Sequence, residues 1–175
     1  TELLVKRCLN GAREERAKTR ILLLGGMRIE GCVACKKCPP ARRKLCIHDD
    51  DMNAAYEDLQ WADAIVFGTP VYFGTISGLL KTFMDRTRPL YNLDNRLNGK
   101  IAAGISVGGG RFGGQELALE TIRTFGLNHG MLIAGSTRPF ENWEACGVAE
   151  NRNEILNDKF GLNSAFGLGK RLARL

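Results

Sequence analysis

The sequence predicts an α/β protein whose parallel sheet is covered by helices on both faces. Short apolar runs alternate with segments of helical periodicity along almost the whole chain. Such alternation implies parallel strands, because each crossover helix returns the chain to the same end of the sheet. The length of 175 residues suits one compact domain, so we expect a single domain over 1–175.

The first third of the chain predicts a helix, a strand, a loop and a second helix. Apolar residues at helical spacing predict a helix over 1–17, and the apolar run 20–25 predicts a buried strand. Residues 27–48 hold cysteines and two prolines and predict a loop. The acidic residues 49–51 then precede a helix that reaches Gln60. We expect them to cap the amino end of this helix and to complement its dipole. A metal site on this acidic run is the less favoured alternative.

The rest of the chain continues the alternation. We predict strands at 62–68, 100–107 and 131–135, helices at 77–86, 115–125 and 153–174, and loops at 69–75, 108–114 and 136–150.

The chain opens with a helix, where a doubly wound sheet needs a strand. In the flavodoxin-like strand order 2-1-3-4-5, the first strand lies between the second and the third. We therefore expect a further strand and loop upstream of Thr1. Without that strand, the predicted strand at 20–25 loses its neighbour and the sheet has a gap.

Charge and hydropathy narrow the class of partner. The formal charge of +6 suits an anionic cofactor, an acidic protein or a nucleic acid, but no stacking-aromatic motif supports nucleic-acid binding. The sequence has neither an apolar run of about 20 residues nor a signal-peptide pattern, so we expect a cytoplasmic protein that does not enter the membrane. The densest basic group forms either a solvated loop or a docking surface for an acidic electron carrier. It comprises Lys36, Lys37, Arg42, Arg43 and Lys44.

Four of the six cysteines form a compact motif, Cys32-x2-Cys35-x2-Cys38-x7-Cys46. Such spacing lets one loop wrap a cubic cluster and is typical of [4Fe–4S] ligands. Zinc is the main alternative, although its structural sites more often use two separated pairs of ligands. A loop without metal is the third alternative. His48 could replace one cysteine as a ligand or be an ordinary loop residue.

Two further loops follow predicted strands, where open α/β sheets bind ligands. The first runs from Gly68 to Thr75, and its Tyr72 and Phe73 either contact a planar ring or only fill the core. The second runs from Ser106 to Glu116, and its glycines expose backbone N–H groups to an anionic or carbonyl-rich partner. Two such loops on successive strands favour a joint site.

The segments 62–74, 80–86 and 113–116 together resemble the NADPH-dependent FMN reductase family of the flavodoxin-like superfamily. The cysteine motif narrows this resemblance to the iron–sulfur flavoproteins. The resemblance implies FMN at the carboxyl ends of the strands, with its phosphate near Thr1 at the start of the first helix. The implied FMN-binding residues are Thr1, Thr69, Pro70, Val71, Tyr72, Phe73, Gly74, Thr75, Ser106, Gly108, Gly109, Gly110, Gly113 and Gly114. The implied cluster ligands are Cys32, Cys35, Cys38 and Cys46.

The expected function is electron transfer between a one-electron carrier such as ferredoxin and a two-electron partner. The resemblance also implies a homodimer or homotetramer. An NAD(P)H-dependent FMN or quinone reductase, with zinc or no metal on its cysteines, is the alternative enzyme, and a redox-sensing module is the non-enzymatic alternative. No catalytic residue is assigned, although Tyr72 and Arg111 lie near the expected site. We expect Cys8 in the core, Cys146 as a free loop thiol and His129 in a structural role.

Overall fold

The computed structural model describes residues 1–38, 45–135 and 144–175 and has the α/β architecture that the alternation predicts. The helices are α1 (Glu2–Glu14), α2 (Met52–Trp61), α3 (Gly78–Asp85), α4 (Arg88–Asn92), α5 (Gln115–Asn128) and α6 (Lys159–Arg174). The strands are β1 (Ala64–Pro70), β2 (Ile101–Gly108), β3 (Leu132–Ile133) and β4 (Ala145–Val148). Short 3-10 helices lie at Leu24–Gly26 and Glu154–Asn157.

The sheet is parallel throughout, with β2 between β1 and an edge made by β3 and β4. Strand β3 pairs with the beginning of β2 and β4 pairs with its end, so the two act as one interrupted edge strand. Between them, the Gly104 N–H donates to the buried carboxylate of Glu144 over 2.7 Å. That side-chain acceptor satisfies a backbone donor where the ladder is interrupted.

Both faces of the sheet are covered. One apolar cluster joins α2, α3 and α5 to the sheet, and a second joins α1 and α6 to the other face. Cys8 is buried in the second cluster, which confirms its predicted place in the core. Because all strands run the same way, their carboxyl ends and the loops that follow them meet at one edge. No helix within the described ranges combines the length and apolarity needed to cross a membrane.

The prediction of a strand at 20–25 is wrong. The backbone there is irregular up to the 3-10 helix at Leu24–Gly26, and Ile21 and Leu23 are 37% and 49% exposed. An extended segment needs a hydrogen-bonded neighbour, and none of the described strands pairs with β1 on the side away from β2. A groove of about 1670 Å³ is lined by 17–26 and by β1.

Other predicted elements also differ from the observed ones. The helix predicted over 153–174 begins only at Lys159, the one predicted over 115–125 continues to Asn128, and the strand predicted over 131–135 covers only Leu132–Ile133. Strand β1 continues two residues beyond its predicted end, through Thr69 and Pro70, because these residues pair with Ser106 and Val107 of β2. Strand β4 lies inside the predicted loop 136–150, and the short helix α4 was not predicted. Residues 39–44 and 136–143 lie outside the described chain, including the basic residues Arg42, Arg43 and Lys44.

Helices α1 and α6 pack unusually closely through glycine. A Cβ added at Gly169 would clash with the backbone oxygen of Cys8 in α1, whereas one added at Gly167, in the same helix, meets nothing within 4 Å. We expect Gly169→Ala to lower the free energy of unfolding by about 1–3 kcal/mol, because the helices must separate. Gly167→Ala is the matched control and should raise it by roughly 0.5–1 kcal/mol through helix propensity. Chemical denaturation of both variants tests this, and equal effects would contradict it.

Candidate functional site

The two glycine-containing loops predicted as a joint site do come together. Thr69 lies opposite Ser106 in the β1–β2 register, so both loops leave neighbouring strands at the same edge. A Cβ at Gly114 would lie only 2.8 Å from the Cα of Gly74, so the loop backbones are in contact. Thr75 Oγ1 is also 3.3 Å from Thr121 Oγ1 of α5. The geometry supports one continuous site formed by both loops.

The first loop is a tight turn over 72–75. The backbone groups of Tyr72 and Thr75 exchange hydrogen bonds of 3.0 and 3.2 Å, and Phe73 and Gly74 adopt φ values of 49° and 79°. Tyr72 is 60% exposed and Phe73 is fully exposed. The alternative that these aromatics only fill the core is therefore wrong. Their rings are available to a ligand or to another protein surface.

The second loop is held in shape by Gln115, the first residue of α5. Its side chain is buried, accepts from the Gly113 N–H over 2.9 Å and donates to the Gly110 carbonyl over 2.7 Å. The same amide also donates to the Gly147 carbonyl of β4 over 3.4 Å. The loop is thus braced before any ligand arrives. Sequence analysis placed Gln115 in the motif without assigning it this role.

Two of the predicted contact residues, Thr69 and Ser106, lie beneath the surface of the site and hold neighbouring residues in place. Thr69 and Ser106 are fully buried. Thr69 Oγ1 accepts from the Ser77 N–H over 3.0 Å, and Ser77 in turn caps α3 by accepting from the Leu80 N–H over 3.3 Å. Ser106 Oγ donates to the Gln115 carbonyl over 3.2 Å and lies 3.5 Å from Cys146 Sγ. Cys146 is therefore a buried residue of β4, not the loop thiol that we predicted.

Thr1 lies at the same edge of the sheet as the two loops. A Cβ added at Gly68 would lie 3.5 Å from Thr1 Cγ2, so the amino end of α1 is next to the start of the first loop. The predicted structural role of His129 also fits its surroundings. His129 is buried, its Nε2 is 3.0 Å from Thr87 Oγ1, and burial lowers the pKa of its imidazole.

The four motif cysteines are free thiols that line one small pocket, together with His48 and Arg88. Within the described ranges, no three Cys, His, Asp or Glu side chains are close enough to hold a single metal ion. Burial and the charges of the other three cysteines raise the pKa of the Cys38 thiol. Four cysteine sulfurs at this spacing are the donor set that multi-iron clusters use.

His48 presents one nitrogen to this pocket. Its Nδ1 is 3.2 Å from Glu30 Oε2, and its Nε2 is buried without a hydrogen-bond partner among the described residues. A histidine that binds a metal through one ring nitrogen usually donates a hydrogen bond from the other to a carboxylate, and His48 has this arrangement. The alternative that His48 replaces one cysteine as a ligand stays a prediction.

A buried ion pair that sequence analysis did not assign lies beneath the cysteine loop. The Arg86 guanidinium makes two hydrogen bonds to the Asp50 carboxylate, of 2.6 and 3.0 Å, and both side chains are 1% exposed. Burial alone would raise the pKa of the Asp50 carboxyl, but the hydrogen bonds from Arg86 and from two backbone N–H groups lower it to about 2. The carboxylate therefore stays ionised and paired at neutral pH.

This pKa predicts a loss of stability in acid. The pKa of Asp50 is depressed in the folded state, so its contribution is complete above the unfolded value of 3.8 and is lost as the pH falls towards 2. The loss should reach about 2 kcal/mol, because each tenfold difference in proton affinity between the folded and unfolded states corresponds to about 1.4 kcal/mol. Urea unfolding of chelator-treated protein at pH 5 and pH 2.5 measures it, with Asp50→Asn as the control without this titration. Parallel losses in the two proteins would contradict the assignment to Asp50.

Comparison with known proteins identifies the family. The family described as NADPH-dependent FMN reductase matches residues 1–145. The chain belongs to this family. An iron–sulfur flavoprotein of Methanocaldococcus jannaschii is 35% identical over 100% of this chain and 89% of its own length. An iron–sulfur flavoprotein of Methanosarcina thermophila is 31% identical over 98% of this chain and 85% of its own length.

Solved structures support the fold class. A flavone reductase matches 98% of this chain and 56% of its own, with a TM-score of 0.70 and 19% identity. The two-electron reduced flavodoxin of Megasphaera elsdenii matches 100% of this chain and 91% of its own, with a TM-score of 0.56 and 12% identity. At these identities the likeness concerns the fold alone, and it confirms the flavodoxin-like class predicted from the sequence.

Proposed function

We propose that the chain is an electron-transfer flavoprotein that carries FMN and an iron–sulfur cluster and passes electrons between a one-electron carrier and a two-electron partner. The observation that carries this proposal is the joint presence of two loops at the carboxyl ends of β1 and β2 and of four free cysteines that line one pocket. Membership of the FMN reductase family and the similarity to iron–sulfur flavoproteins support both cofactors.

In this proposal FMN lies across the two loops. Gly108, Gly109, Gly110 and Gly114 would offer backbone N–H groups to the polar edge of the ring, and Gly113 would shape the same loop through its hydrogen bond to Gln115. The exposed Tyr72 and Phe73 would lie beside the face of the ring. Val71 and Thr75 flank them, with Pro70 at the end of β1. The amino end of α1 at Thr1 offers the positive end of a helix dipole to the phosphate.

Cys32, Cys35, Cys38 and Cys46 would hold the cluster, which we propose to be [4Fe–4S] from their spacing. When bound, FMN exchanges two electrons and the cluster one, which suits a protein between two kinds of redox partner. We propose ferredoxin or NAD(P)H as the source of electrons, with the basic surface around Lys36 and Lys37 as the docking face for an acidic carrier. A cytoplasmic homodimer or homotetramer completes the proposal.

One spectrum with metal analysis tests this function. Anaerobically purified protein should show flavin bands over a broad iron–sulfur absorption, with about four iron and four sulfide per chain. Reduced ferredoxin or a pyridine nucleotide should then bleach both chromophores. Flavin accompanied by zinc, or by no metal, would overturn the proposal.

A plain NAD(P)H-dependent quinone or FMN reductase is the second candidate. An NAD(P)H dehydrogenase (quinone) of Acidithiobacillus ferrooxidans is 37% identical over 55% of this chain. Its site would need the two loops but not the cysteines. Steady NAD(P)H oxidation that survives Cys35→Ala would favour this candidate.

A further inference from the structure

The cysteine loop is closed at its base by a set of hydrogen bonds between the residues that flank it. The Arg28 N–H donates to Asp51 Oδ2 over 2.7 Å, and the Asp51 N–H donates back to the Arg28 carbonyl over 3.1 Å. Two residues before Cys32, the Glu30 N–H donates to Asp50 Oδ2 over 3.0 Å. Because the two ends of the loop are joined, all four cysteines are held within one short closed segment.

Arg86 joins this base to a distant part of the fold. From the end of α3, its Nη1 donates to the Glu30 carbonyl over 2.7 Å while the guanidinium pairs with Asp50. The Tyr56 hydroxyl in α2 donates to the Arg86 carbonyl over 2.7 Å, which fixes the arginine backbone as well. At its other end, α3 is capped by Ser77, whose backbone N–H donates to Thr69 Oγ1 next to the first of the two loops. The cysteine loop and the flavin loop are thereby attached to opposite ends of one helix.

These contacts leave one N–H group of the Arg86 guanidinium without a hydrogen bond. Arg86 Nε is buried and has no hydrogen-bond partner in the part of the chain that the structure describes. A buried N–H without a hydrogen-bond partner is costly, so Arg86 has a free donor that an acceptor could satisfy. Burial lowers the pKa of Arg86, but the hydrogen bond to Asp50 and the charge of Cys46 outweigh this and raise it.

We propose that Asp50 and Arg86 are positioning residues for the iron–sulfur cluster: the pair closes the base of the cysteine loop and so fixes both ends of the segment that carries the four cysteines. This inference rests on the proposed function, since it needs a cluster to position. The ion pair then has a role in cluster binding in addition to any role in stability. A buried ion pair alone is weak evidence for stability, because apolar residues of similar volume often stabilise a fold as well or better.

The test measures how firmly the protein holds its cluster. Purified holoprotein is mixed with an iron chelator under anaerobic conditions, and the decay of the cluster absorption gives a rate of loss. Arg86→Met should lose its cluster about 10–100-fold faster than the unmodified protein, as is typical when an outer-shell partner of a metal site is removed. Arg86→Lys should lie between the two, because lysine keeps the charge without the two-pronged geometry. FMN content should stay equal in all three proteins.

Two controls separate positioning from general stability. Glu144→Gln alters a buried carboxylate that bonds to Gly104, in the middle of β2, and should lower the melting temperature without faster cluster loss. The double variant Asp50→Leu with Arg86→Met removes the orphaned carboxylate and should recover melting temperature relative to Arg86→Met, while still losing its cluster rapidly.

Either control can overturn the inference. Cluster loss that follows melting temperature across all variants, or that returns to normal in the double variant, would reduce the pair to a stability role. If the unmodified protein contains FMN but neither iron nor sulfide, the proposed function fails instead. The two failures therefore have different signatures.

Discussion

Cys35→Ser should remove the iron–sulfur cluster and leave the flavin in place. Cys35 is the second of the four cysteines in the motif and lines the same small pocket as the other three. Serine supplies a hard, protonated oxygen where iron–sulfur centres require a thiolate. Removing an outer-shell partner of a metal site typically lowers its affinity about 10–100-fold, and removing a direct ligand should lower it further. The flavin loops belong to β1 and β2 and make their contacts with α5, so they should be unaffected.

The matched control is Cys8→Ala, which removes a thiol that has no part in the motif. Cys8 is buried between α1 and α6, and burial raises the pKa of its thiol to about 12, so it is inert as a ligand. Iron, sulfide, zinc and FMN should be measured on both variants, together with the visible spectrum. Iron and sulfide should disappear only from Cys35→Ser. An undiminished iron content in Cys35→Ser would show that the motif is not the cluster site.

The sequence predicted the parts of the site whose signal is local. Glycine and proline after an apolar run mark a loop at a strand end, and cysteines three residues apart mark a ligand motif, wherever the rest of the chain lies. The two loops at the ends of β1 and β2 and the cysteine loop were predicted in this way. Their relative placement followed from the topology, because parallel strands deliver successive loops to one edge.

The features that sequence analysis missed depend on contacts between distant residues. Asp50 and Arg86 are 36 positions apart, and each has an ordinary local explanation, as a helix-capping acid and as the end of a family motif. Only the fold shows that they pair beneath the cysteine loop. The wrong prediction of a strand at 20–25 also comes from a contact between distant residues. The apolar pattern there is strand-like, but no described strand is available to pair with it. The four residues of β4 include a glycine and carry too short a pattern to detect.

Gly114→Ala should strongly weaken FMN binding while the chain still folds. Gly114 has a φ of 94°, which a residue with a Cβ adopts only at a cost of about 1–3 kcal/mol. The added methyl group would also lie 2.8 Å from Gly74 Cα, so the two flavin loops must move apart. Both effects disfavour the loop conformation that binds FMN. The Kd for FMN should therefore rise roughly 10–100-fold, since about 1.4 kcal/mol corresponds to a tenfold change. Fluorescence titration of apoprotein with FMN measures this Kd.

Gly99→Ala separates loop geometry from backbone strain. Gly99 has a comparable φ of 76°, but it lies just before β2, at the opposite end of that strand from the site, and an added Cβ meets nothing within 4 Å. We expect Gly99→Ala to lower the free energy of unfolding by an amount similar to Gly114→Ala and to leave the Kd for FMN unchanged. Equal Kd values for the two variants would mean that contact between the loops does not determine flavin affinity. A raised Kd in Gly114→Ala alone would establish that the close approach of Gly74 and Gly114 holds the flavin site in its binding shape.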